Sequence, residues 1–141
     1  MTYASRDTLN TVFGRANIDK WADLDNDGDE DKIEARILAV LDQADEEVND
    51  RLRRGPYTVP FTSPSAKIVR VATLFAGVFL YEARGVQDFD QETHKAVHRL
   101  AYQKTEAETT CRKILSGQFV LSVIPAVVTY PRVVADDDPA T

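Results

Sequence analysis

At 141 residues with a net charge of −6 and one cysteine, the chain suits one domain with its own core. The acidic balance argues against a sequence-independent nucleic-acid binder, which needs a basic face to displace counterions from phosphate. A lone cysteine excludes an intramolecular disulfide, as fits assembly in a reducing cytoplasm. The polar start from Met1 to Asn10 has no signal-like region, and no apolar run approaches membrane-spanning length, so a soluble, unexported chain is expected.

The first helix is expected from Arg6 to Phe13, capped by Ser5 and stopped by Gly14. A second short helix opens at Asn17 and carries Ile18 and Trp21. Then comes the most definite chemical pattern in the chain. Residues Asp23 to Glu34 match the calcium loop D-x-[DN]-x-[DN]-G-x5-E at every fixed position. Asp23, Asp25 and Asp27 would supply carboxylates, Asp29 a backbone carbonyl, Asp31 a ligand through water and Glu34 both oxygens, with Gly28 making the sharp turn. The bland alternative is an acidic linker capping the next helix, where Asp and Glu suit the dipole. It leaves the alternate-residue spacing unexplained, so a bound Ca2+ is expected here. With Glu30 at the position where paired hands carry an apolar residue, and no second loop, the ion reads as a structural staple.

Ile33, Ile37, Leu41, Ala44, Val48 and Leu52 recur every three or four residues, making Glu30 to Arg53 one long amphipathic helix, ended by Gly55 and Pro56. Arg51, Arg53 and Arg54 at its end either complement the helix's negative pole or form a docking patch for an acidic surface or DNA phosphate. Pro56, Pro60 and Pro64 among Tyr57, Val59 and Phe61 mark an ordered extended loop over the core edge. From Ser65 to Arg84 nearly every side is apolar, the mark of a central bundle helix or of one partly buried by neighbouring subunits. The last helix is expected from Asp90 to Leu115, with Val97, Leu100, Ala107, Cys111, Ile114 and Leu115 on one stripe and Cys111 a packed core thiol.

From Gly117 onward the character changes. Phe119, Leu121, Val123, Ile124, Val127, Val128 and Tyr130 are apolar, mostly β-branched or aromatic, and Pro125 and Pro131 interrupt them before the run Asp136, Asp137, Asp138. Such an arm folds back as a hairpin or adds a strand to a neighbour. So much apolar surface after a complete bundle favours the neighbour. The expected fold is therefore all-α, a small helical bundle with a long central helix pair over residues 1–117, followed by an extended, strand-prone C-terminal arm over 118–141.

Catalytic patterns are poor. His94 and His98 are four apart on the expected helix and could face one metal, but Lys95 stands where a metalloprotease carries its Glu base, and there is no third histidine. Gly-rich phosphate loops and a GxSxG elbow are missing from the sequence. No enzyme is expected.

In order, Tyr3-Ala4-Ser5 with Asp7, Leu9 and Phe13-Gly14, the Asp-rich loop, the helix into Leu52-Arg53-Arg54, Tyr57-Thr58-Val59-Pro60-Phe61, and the later Gly117 and Leu121 form a pattern that resembles the Mu-like phage head–tail joining family. The resemblance covers residues 3 to about 121. It implies a structural adaptor of the phage neck that binds the portal protein and joins neighbouring copies into a ring, dodecameric in connectors of this type. It also implies a platform for a downstream neck or tail protein, a place in the virion at the head–tail junction after assembly in the bacterial cytoplasm, and no enzymatic activity. DNA would at most pass through. Composition points to Phe119, Leu121, Val123, Ile124, Val127, Val128 and Tyr130, together with Arg51, Arg53 and Arg54, as interface residues. The rival reading is a calcium-dependent protein-binding module whose single EF-hand-like loop gates an apolar groove. Gating hands expose Met-rich surface, and Met1 is the only methionine.

Overall fold

The computed structural model describes residues 2–84, 88–89, 96–97 and 99–121. Five helices carry the fold: α1 (Arg6–Phe13), α2 (Arg15–Ala22), α3 (Glu30–Leu52), α4 (Ala66–Arg84) and α5 (Ala101–Leu115). Ser5 starts α1 through a reciprocal cap, its hydroxyl accepting from the Thr8 N–H while its own N–H donates to the Thr8 hydroxyl. Gly14, at φ 89°, ends α1 and begins α2 in one residue. That left-handed turn is why the second helix opens at Arg15 and not at Asn17, whose side chain instead donates to the Phe13 carbonyl.

The long pair expected from periodicity is α3 and α4. Helix α3 buries Ile33, Ile37, Val40, Leu41, Ala44, Val48 and Leu52 on one stripe. Helix α4 returns alongside it, its last residue hydrogen-bonded to the loop before α3. Residues 71 to 78 of α4 are buried without a break, covered by this subunit's own α1, α2, α3 and α5. Helix α5 crosses from Leu100, packed with Val78 and Tyr81, to the C-terminal end of α3, where Leu115 sits against Gly55.

The last helix is shorter than its apolar stripe suggested. It starts at Ala101, and β1 (Asp88–Phe89) pairs antiparallel with β2 (Ala96–Val97), Asp88 opposite Val97 and Phe89 opposite Ala96. Cross-strand pairing takes these backbones out of a helix, and Phe89 and Val97 are residue types that favour it. His94, His98 and the arm beyond Leu121 lie outside the described residues. The rest is mostly helical, in keeping with an all-α bundle.

Tyr3 ties the N-terminus into this frame. Its phenol donates to Asn49 Oδ1 at 2.6 Å and accepts from the Phe61 N–H at 2.8 Å, and its backbone N–H reaches Asp45. The proline-rich loop is thereby fastened to α3 through a residue 58 positions upstream. Tyr57 and Phe61 are buried as the sequence suggested, and the Val59–Pro60 peptide is cis.

Gly77 sits mid-α4 under the edge of the Phe13 ring; a Cβ there would lie 2.1 Å from Phe13 Cε2. Glycine in a helix interior costs about 1 kcal/mol relative to alanine, so propensity alone favours Gly77→Ala. Overpacking in a tight core typically costs about 1–3 kcal/mol, and the clash wins. Gly77→Ala is expected to lower stability by roughly 1–2 kcal/mol in urea unfolding; a variant as stable as the parent would contradict this packing.

Candidate functional site

Two regions gather the residues singled out from the sequence: the acidic corner between α2 and α3, and the point where the chain leaves the bundle after α5. The corner makes its turn as expected, with Gly28 at φ 67° and Asn26 at φ 55°. The Asp23 carboxylate accepts from the Asp27 and Gly28 N–H groups at 3.2 and 3.1 Å, and Asp27 from the Asp29 N–H at 3.0 Å. Asp29 caps α3, its side chain accepting from the Asp31 and Lys32 N–H groups, and its carbonyl receives the Ile33 N–H.

Cations from the chain itself occupy the rest. Lys32 Nζ lies 2.9 Å from Asp27 and 3.5 Å from Asp25, and the Arg36 guanidinium is 3.1 Å from the same Asp25 oxygen. Hydrogen bonding to Arg36 holds the Asp25 carboxyl below the usual range; bonding to Lys32 does the same for Asp27, and Asp27 in return raises the Lys32 ammonium. Glu34 turns away to Arg6, which also holds Asp19. From the end of α4, Arg84 donates to the carbonyls of Lys20 and Asp23 and to Asn26 Oδ1.

The position-twelve carboxylate points elsewhere, and among the described residues no three His, Cys, Asp or Glu side chains are grouped to hold a metal. Arg36 and Arg84 were not singled out from the sequence. No spacing rule links them to the loop, although a cluster of acids in a folded chain calls for cations from somewhere.

At the exit, Gly117 (φ 84°) closes α5, and the Phe119 N–H reaches back to the Lys113 carbonyl at 3.1 Å. The Phe119 ring lies under two ammonium groups, Lys67 at 4.1 Å and Lys113 at 5.2 Å from its centroid. Leu121 is buried, its N–H donating to the Tyr57 hydroxyl at 2.8 Å, whereas Val120 is 80% exposed. Phe119 and Leu121 are thus brought together; Val123, Ile124, Val127, Val128 and Tyr130 lie outside the described residues.

The three arginines at the end of α3 separate. Arg51 joins Glu47 to Glu108 of α5 and stacks over Phe75 at 5.2 Å, so it serves the bundle. Arg53 pairs with Asp50, and Arg54 is exposed. Cys111 is buried, and burial pushes its thiol up to about 11. A cavity of about 710 Å³ between α2 and the α4–α5 corner is lined in part by Phe13, Trp21 and Tyr81, whose rings meet edge to face at 5.7 and 5.4 Å.

Among known proteins, the family described as "Bacteriophage Mu, Gp36" matches residues 3–125. No curated protein matches the chain.

Removing the Lys32 ammonium is expected to return the Asp27 carboxyl upward toward its ordinary value and to move Asp25, held chiefly by Arg36, less; carboxyl NMR titration of Lys32→Met, compared with the parent, reads this directly. Cys111 makes a second expectation. Its folded-state pKa is raised from 9.0 to about 11, so its contribution is intact below pH 9 and is lost as pH rises through 11. Two units correspond to about 3 kcal/mol at most, and alkaline unfolding of Cys111→Ala should show a correspondingly shallower fall over that window.

Proposed function

The chain belongs to the bacteriophage Mu Gp36 family, and from that premise we propose that this Mu-like phage structural protein is a head–tail connector. In this reading it docks on the portal protein as a ring of like copies and offers the far side of the ring to a downstream neck or tail protein. The observation that carries the reading is the way the chain leaves the bundle. Leu121 is the last described core residue, its N–H donating to the Tyr57 hydroxyl, and the sequence then continues with Val123, Ile124, Val127, Val128 and Tyr130, residue types that favour strands. An apolar, strand-prone segment that follows the last helix of a bundle suits strand addition to another protein.

Among the described residues no helix is long and apolar enough to cross a membrane, in keeping with a place in the virion. Calcium enters this proposal only through a rearranged loop, in which Lys32 and Arg36 leave Asp25, and Glu34 leaves Arg6. Calorimetric titration of the intact protein with Ca2+ tests that rearrangement, a heat of binding lost in Asp23→Ala with Asp27→Ala being the supporting result.

The connector reading is tested with a chain ending at Leu121, which keeps every described core contact. It should retain the helix content of the full chain by circular dichroism yet fail to co-sediment with rings of the phage portal, whereas the full chain binds them. Equal binding by both removes the arm from docking; binding by neither sinks the connector reading.

A further inference from the structure

Resting on the ring-forming reading above, we infer that copies of this chain meet head to tail, the outer face of α3 in one copy seated on the basic end of the bundle in the next. The first surface is a helical stripe. Leu38 is 59% exposed at its centre, flanked by exposed Ala35 and Ala39 and by the carboxylates of Asp31, Asp42 and Glu46. Among the described residues none of these three acids is paired with a cation, unlike Glu34 and Asp50 on the same side of the helix, which hold Arg6 and Arg53.

The second surface is a groove of about 520 Å³ lined by Thr109, Arg112, Lys113, Leu115, Ser116 and Gln118. Leu115 forms its exposed apolar floor. In a chain of net charge −6, this end is basic. Arg112 binds only the Thr109 hydroxyl, Lys113 and Lys67 rest on the Phe119 ring, and Arg54 stands next to Gly55, which Leu115 touches. Among the described residues none of these four cations is in an ion pair, and Arg112 and Lys113 line the groove itself.

Each surface supplies what the other lacks. Leu38 provides an apolar knob for Leu115, and three carboxylates without an ion pair meet Arg112 and Lys113 of the groove, with Arg54 and Lys67 beside it, an arrangement that fixes register and steers encounter. The Leu38 patch is centred about 20 Å along α3 from the Leu52 end, and its last acid, Glu46, lies about 9 Å from that end at 1.5 Å per residue, so the two surfaces share no residue and one copy can present both. A contact between unlike surfaces closes into a ring when its rotation closes.

Disulfide trapping in the full chain tests the contact, with the buried Cys111 as a spectator. Copies carrying Leu38→Cys, mixed with copies carrying Ser116→Cys, are expected to cross-link about tenfold faster at low salt than a mixture of Leu38→Cys and Tyr102→Cys, an exposed position outside the groove, and high salt should erase the difference. Adding Arg112→Glu and Lys113→Glu to the Ser116→Cys copy should abolish the excess. Adding Asp42→Lys and Glu46→Lys to the Leu38→Cys copy should restore it, an outcome misfolding cannot produce. Equal rates for the two mixtures, or no restoration, overturn the inference. So does protection of Ser116→Cys from alkylation that disappears on deleting residues 122–141 from a monomeric sample, which makes the chain's own arm the occupant, or that arises only with portal present, which makes the portal the occupant. Portal co-sedimentation of the same samples keeps the two readings apart. Trapping without portal binding retains this contact and removes the connector, and portal binding with control-level trapping does the reverse.

Discussion

Burial of the middle of α4 on every side, from Val71 to Val78, is the constraint from which the rest follows. A helix carrying Val71, Leu74, Phe75, Val78 and Leu80 in its interior has no face to give to water over that stretch, so the other helices must cover it. Each residue of the Leu or Phe type so buried contributes about 1.5–3 kcal/mol relative to exposure. Helix α3 covers the longest side, α5 a second, and the short pair α1–α2 the third, where Gly77 lets the Phe13 ring reach the helix backbone. Polar links tie the frame together: Tyr3 joins Asn49 of α3 to the Phe61 loop, Arg51 joins α3 to Glu108 of α5, and Arg70 of α4 joins Glu106 of α5.

The acidic corner illustrates how a local pattern and a tertiary solution can differ. Alternate carboxylates and a left-handed glycine are the ingredients of a cation site, and the folded chain meets that demand with side chains. Lys32 stands between Asp25 and Asp27 as a tethered ammonium, Arg36 adds a second charge, and Arg84 satisfies the carbonyls at the end of α2. A tethered cation loses less freedom on ordering than one captured from solution.

Periodicity and caps made α1, α3 and α4 legible before any coordinates, because Ser5, Gly14 and the stripe from Ile33 to Leu52 act through neighbours three or four positions away. The start of α5 was not legible in that way. Its apolar stripe runs on backward through Leu100 and Val97, whereas the pairing of Asp88–Phe89 with Ala96–Val97 depends on a partner strand. The candidate site divides along the same line. Phe119 and Leu121 were readable as apolar residues at the edge of the bundle, but Arg84 reaches Asn26 across 58 positions, and Lys67 meets Phe119 across the whole of α4 and α5. No window on the sequence contains both members of such pairs.

The aromatic row beside the cavity equips the protein with an optical gauge of its own. Trp21 is the sole tryptophan, it is half-buried between Phe13 and Tyr81, and it follows Lys20, whose carbonyl Arg84 grips. Its indole therefore stands at the seam where α1, α2 and the end of α4 meet. Parting of that seam wets one ring, and intrinsic fluorescence becomes a label-free report on the acidic corner.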